Sequence, residues 1–217
     1  MLMEAQHRLK QAVKPLFVRG GRVPRRVRSG PARGVLLVLD RRTGLQVELG
    51  LYESELSGIY REYVRPESVV WDVGAGDGAT ALLYANLGAF VVAWEPDPAA
   101  LDRFAENLRL NPELAQRIEL VPDPFASSAE VARPDFVKVD VEGAELDVLA
   151  GTPDARAILV ETHSRSLEAQ ALALLRGRGY EARVIRNAAW RRLYPEYRPL
   201  PHNRWVLGVR SGSETAA

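Results

Sequence analysis

At 217 residues, nearly half of them apolar, the chain is long enough for one domain with a full core and needs no second one. The lack of cysteine excludes disulfides, thiolate zinc and cysteine nucleophiles; with no membrane-length apolar run and no signal-like N-terminus, a soluble cytoplasmic protein without a membrane partner is expected. The formal charge of +1 conceals segregation, because residues 1–42 hold 11 Lys or Arg against Glu4 and Asp40, residues 176–210 hold 9 Arg against Glu181 and Glu196, and the middle is acidic.

In chain order, residues 1–34 read as a basic arm, broken by Pro15, Gly20, Gly21, Pro24 and Pro31 and expected to be loosely ordered. Residues 35–65 read as a small cap. In it, 35–39 and 45–49, separated by DRRTG, are expected to pair as a β-hairpin, and 53–63 to form a helix leading to Pro66. The core is assigned to residues 66–210. Its first unit is SVVWDVGAGDGATALLYANLGAFVVAWEPDP, a strand, a glycine-dense turn, a helix and a second strand closed by Glu95. The pattern continues with a helix over 97–110, strands at Ile118–Val121 and Phe136–Val139, a short helix ending near Gly151, and a strand at 157–160 that runs into ETH. A helix over 166–176 and strands at Tyr180–Ile185 and 205–209 complete it, and 211–217 read as a disordered tail. Alternating strands and helices predict an α/β fold, a Rossmann-like, doubly wound, mostly parallel sheet with helices on both faces and its ligand crevice beyond the strand ends.

The glycine loop fits two cofactor classes. Gly74, Gly76 and Ala79 satisfy the loose dinucleotide pattern, yet Asp72 at the entry and Asp77 inside the loop would repel a pyrophosphate, whereas a cationic ligand would welcome them. S-adenosylmethionine has no phosphate and carries positive charge at its amine and sulfonium.

The segments VWDVGAGDG, VVAWEPDP, ENLRLN, DFVKVDVEGAELDVLAG and ILVETH, in this order, resemble the class I S-adenosylmethionine-dependent methyltransferases and most closely the FkbM-type family, over roughly residues 50–210. The resemblance implies a seven-stranded sheet with a reversed last strand and methyl transfer, commonly to a hydroxyl oxygen. It also implies that Asp72, Gly74, Ala75, Gly76, Asp77 and Gly78 line the methionine and ribose part of the cofactor and that Glu95 accepts from the ribose hydroxyls. Pro96 and Asp97 would flank the adenine, Asp123 would lie near its amine, and Glu53 would face the methionine amine or sit as a solvated helix-start acid. Asn107 is as consistent with a structural role as with a functional one.

A base for the acceptor's hydroxyl proton is what the protein must add. Strand alternation puts Lys138, Asp140 and Glu142 on one side, and neighbouring strand ends bring Asp140 toward Glu161 and His163. Asp140 and His163 are therefore the candidate catalytic pair, oriented by Glu142 and Glu161, with Lys138 as an ion-pair partner. Helix capping by Asp140 and Glu142 is the alternative. Asp140, Glu161 and His163 together could hold a divalent ion, which is not favoured because no i, i+4 histidine pair is present. His202 and Trp205 are expected on the acceptor side, with a place in the core as the alternative for Trp205. A small-molecule or glycan acceptor is expected; RNA, suggested by the basic segments, and an inert binding module are the alternatives. Oligomeric state is not encoded in any motif.

Overall fold

The valine-rich runs at the centre of the core lie side by side as strands because they are mostly apolar on both faces, as a sheet covered on two sides requires. A computed structural model describes residues 21–41, 44–126, 131–188 and 202–210. Its main sheet contains β3 (Val69–Val73), β4 (Phe90–Trp94), β5 (Ile118–Val121), β6 (Phe136–Val139), β7 (Ala157–Thr162), β8 (Tyr180–Ile185) and β9 (Arg204–Arg210), in the order β5-β4-β3-β6-β7-β9-β8. Only β9 is reversed, pairing antiparallel with both β7 and β8. From β3 the chain winds outward through β4 and β5, then returns to place β6 on the other side of β3. That reversal opens a crevice at the carboxyl ends of β3 and β6.

Alternation sorts the two faces. Val70, Val91, Phe136 and Leu159 pack with Tyr60 and Tyr84, which come from α2 (Ser57–Tyr63) and α3 (Ala79–Asn86). Trp71, Val73, Val137, Val139 and Val160 pack on the other face with Leu149 and Leu175, from α6 (Glu145–Gly151) and α7 (Arg165–Gly177). Two polar residues interrupt the first face, Asp72 and Lys138, which are register partners on β3 and β6.

The cap differs from expectation in composition. A two-stranded antiparallel sheet is present, but β2 (Leu36–Asp40) pairs with β1 (Arg22–Arg26), and Leu45–Glu48 forms the short helix α1. Gly44 N donates to Asp40 O at 2.8 Å and Glu48 N to Gly44 O at 2.9 Å, so the chain winds into helical turns after β2 instead of reversing. A five-residue apolar alternation fits one turn of helix as well as a strand, and here Glu48 gains Arg28 at 2.6 Å by being helical. The ordered hairpin thus takes in residues 22–34 of the segment read as a loose arm. Residues 1–20, the tail 211–217 and the connection 189–201 lie outside the described residues.

The other side of β2 is closed by two asparagines of α4 (Pro98–Leu110) and its C-terminal boundary. Val38 N donates to Asn107 Oδ1 at 2.8 Å, Leu36 N donates to Asn111 Oδ1 at 3.0 Å, and Asn111 Nδ2 returns a bond to Leu36 O at 2.7 Å. Spaced four apart, the two amides stand one above the other and act as a substitute strand. The side chain of Asn107 also donates to Asp77 O, so one residue joins the cap to the glycine loop. Its placement supports the structural role.

Candidate functional site

The loop after β3 needs glycine for two different reasons. Gly74 has φ +81°, and a Cβ there would overlap the carbonyl of Asp140, so this position lets the β3 and β6 loops touch. Gly76 has φ +58° and nothing within 4 Å of where a Cβ would lie, which leaves open space beside its backbone. Glu95, at the end of β4, accepts from Gly76 N at 2.7 Å and from Asp97 N at 2.9 Å. Each of its oxygens keeps a further lone pair, while the carboxylate fixes the loop. Asp97 caps α4 through Ala99 N and Ala100 N, and Asp77 accepts from Ala79 N at 3.2 Å. Ala75 is buried under the loop, whereas Pro96 and Asp123 are exposed at the rim.

Lys138 is the cation around which the acids gather. Its ammonium lies 3.2 Å from Asp72 Oδ1 and 3.1 Å from Asp140 Oδ2. Burial alone would lower the Lys138 pKa; Asp140 and Asp72 outweigh it and hold the group well above its usual value. Burial pushes the Asp72 carboxyl up against the pull of Lys138. Asp140 would also be raised by burial, but Lys138 and a hydrogen bond from Glu161 bring it below the ordinary carboxylate range. Glu161 is pushed up to about 10 by burial, by its hydrogen bond to Asp140 and by that residue's charge. The two carboxyls are therefore a coupled pair that shares one proton at neutral pH.

His163 stands at the other side of Glu161, with Nε2 at 3.6 Å from Glu161 Oε2 and 3.8 Å from Glu145 Oε1. One donor atom from each of Asp140, Glu161 and His163 falls within 4.8 Å of the others. Glu53, whose backbone is left-handed at φ +47°, turns its charge toward this group from the cap side, raising Glu161 and Lys138. Glu142 is exposed on the turn beyond β6, because the strand ends at Val139 and alternation no longer applies. The acid beside His163 is instead Glu145, the first residue of α6, 2% exposed. Sequence reasoning placed it in the diagnostic stretch but not in the site; its i+3 spacing from Glu142 across the turn was the available signal.

His202 lies 3.1 Å from Glu168 Oε2, and Trp205 is buried with its ring 5.9 Å beneath Lys138. Three of the cap's arginines are engaged in ion pairs: Arg22 with Glu106, and Arg25 and Arg28 with Glu48. Among the described residues no helix is long and apolar enough to cross a membrane.

Residues 123–182, the segment that carries Asp140, Glu145, Glu161 and His163, match the family model of the methyltransferase FkbM domain. Over that segment the chain is similar to the FkbM methyltransferase domain. A curated relative, the hexuronic acid methyltransferase AglP of Haloferax volcanii, is 29% identical over 151 residues; the match covers 52% of this chain and 63% of that protein's length. In fold, the chain resembles precorrin-6y C5,15-methyltransferase of Geobacter metallireducens, with TM-score 0.58, 21% identity, and coverage of 73% of this chain and 88% of that one. An S-adenosylmethionine-dependent O-methyltransferase of Thermotoga maritima gives TM-score 0.58 at 14% identity, covering 75% of this chain and 67% of that one.

Proposed function

We propose that the protein is an S-adenosylmethionine-dependent methyltransferase acting on a hydroxyl oxygen of a small molecule or glycan, with a sugar acid as the first acceptor to examine. The observation that carries this reading is the group of acids at the carboxyl ends of β3, β6 and β7, where Asp72 and Asp140 flank Lys138 and Glu161 lies beside His163, next to a glycine loop whose backbone is open at Gly76. A phosphate-bearing cofactor would be repelled there, and a sulfonium with an ammonium group would be attracted. The name of the Haloferax relative supports a sugar acid.

The bound cofactor supplies a methyl group already activated on sulfur. What the chain adds is orientation and a place for a proton. Asp72 and Glu53 offer charge to a cationic ligand, and Glu95 keeps lone pairs free at the loop's edge. Asp140, kept ionised by Lys138, and His163 are the groups placed to take the hydroxyl proton as the acceptor oxygen bonds to the methyl carbon and the carbon–sulfur bond breaks. Glu161 and Glu145 hold these two in position.

The test is a thermal melt with S-adenosylhomocysteine and with NADH, followed by radiolabelled methyl transfer to hydroxylated acceptors that include hexuronates. A rise in melting temperature with S-adenosylhomocysteine alone is expected, because a ligand bound only by the native state stabilises it by mass action. A rise with NADH alone would overturn the cofactor, and label recovered on nitrogen or carbon would overturn the hydroxyl acceptor.

A further inference from the structure

We infer that Asp140, Glu161 and His163 form a binding site for one divalent cation, whose remaining positions take oxygen atoms of the acceptor. The inference rests on the proposed transfer to a hydroxyl and says how that oxygen is held.

Three observations carry it. The donor atoms of Asp140, Glu161 and His163 all lie within 4.8 Å of one another, a spread that a central ion with ligands at roughly 2.1–2.5 Å can bridge. They come from the tips of adjacent strands β6 and β7, a rigid base for a coordination site. Second, Glu145 Oε1 is buried without a hydrogen-bond partner, and it points at His163 from 3.8 Å. Neither nitrogen of the His163 ring has a hydrogen-bond partner either. Glu145 Oε1 and Glu161 Oε2 both face Nε2, so Glu145 stands on the ligand side of the ring, where its unpartnered oxygen is a further anionic group for a cation.

Third, charge is unbalanced. Asp72, Asp140, Glu145 and Glu161 each stand within 4 Å of Lys138 or His163, four carboxyls around two basic side chains, and burying carboxylates without full compensation is costly. At present Asp140 and Glu161 relieve this through the hydrogen bond between them; a divalent ion would take over that task. Two carboxylate oxygens and one imidazole suit the manganese and magnesium class better than a soft-ligand site. An ion so held would bind the acceptor's hydroxyl oxygen and ease its deprotonation, with His163 then serving as ligand and the carboxylate oxygen of Asp140 not bound to the ion taking the proton, and an adjacent hydroxyl or carboxylate oxygen could complete the chelate.

The experiment uses the full chain after treatment with EDTA, titrated with Mn2+ and followed by electron paramagnetic resonance and calorimetry. One saturable site per chain is expected below about 1 mM Mn2+. Affinity should fall at least about tenfold in Asp140→Asn and in His163→Ala, and stay unchanged in Asp147→Asn, an exposed acid on α6. Each variant is melted with and without S-adenosylhomocysteine in EDTA, so that a retained shift certifies its fold and cofactor site. Absence of saturable Mn2+ binding, or binding that survives both substitutions, overturns the cation site. If the unmodified chain shows no S-adenosylhomocysteine shift, the methyltransferase reading fails, whatever the Mn2+ result.

Discussion

Lys138 and Asp72 sit side by side on adjacent parallel strands, 3.2 Å apart and with neither side chain more than 3% exposed. Removing one partner strands the other charge in the core, at a cost of about 3–5 kcal/mol. Lys138→Met is therefore expected to lower the melting temperature by roughly 10 °C. The double variant with Asp72→Asn should recover part of that loss. Additive losses in a double-mutant cycle would show that the pair is not coupled.

Asp140→Asn removes the acid that bridges Lys138 and Glu161 but leaves the glycine loop alone. Turnover should drop roughly 100-fold or more, the usual size of a lost proton-transfer group. The S-adenosylhomocysteine melting shift should persist. Unchanged turnover would return Asp140 to a purely structural role.

Glu161 gives a pH signature in metal-free protein. Its folded pKa, raised to about 10, exceeds its unfolded value, so the native state binds the extra proton. That contribution is fully present below the ordinary glutamate pKa and is lost as pH rises toward 10. Stability measured by urea unfolding in EDTA should thus decline from pH 6 to pH 9, and Glu161→Gln, which keeps a neutral donor to Asp140, should flatten the decline. An equal slope in both proteins would disprove the shared proton.

Asn107→Ala leaves Val38 N and Asp77 O without their side-chain partner, in a site with no exposure. The expected loss is about 1–3 kcal/mol in denaturant unfolding. Because Asn107 joins the cap to the glycine loop, S-adenosylhomocysteine affinity should weaken too. Full affinity at reduced stability would mean the two are independent.

Gly76→Ala tests the open loop. The substituted residue must keep φ near +58°, a strain of about 1–2 kcal/mol for an L-residue, yet meets no atom within 4 Å. The protein should fold with a modestly lower melting temperature and lose its response to S-adenosylhomocysteine. A retained response would place the ligand elsewhere.

The core was legible because periodicity and punctuation agreed. β3, β4, β5, β6 and β8 fall on the runs that sequence marks, and the alternation in VKVD put Lys138 and Asp140 on one side, as their 3.1 Å contact requires. Where the strand stops, alternation loses meaning: Glu142 was projected inward and is exposed, while Glu145, one helical start further on, took the buried place. The cap was misread for a related reason. Residues 45–49 are too few for period 2 and period 3.6 to be told apart, and the strand that β2 does use is rich in arginine and holds Pro24, features that lower strand propensity but suit an edge. The asparagine pair of ENLRLN carried the missing information, since amides four apart on a buried helix face need backbone partners.

A small two-stranded sheet ordinarily invites a neighbouring molecule to add a strand along its unpaired margin. Here Asn107 and Asn111 already fill the amide hydrogens of Val38 and Leu36, and the opposite margin bears Pro24 among arginines. The hairpin is consequently sealed against self-association on one flank and discouraged on the other, so concentrated solutions should resist strand-exchanged aggregates until those two amides are removed.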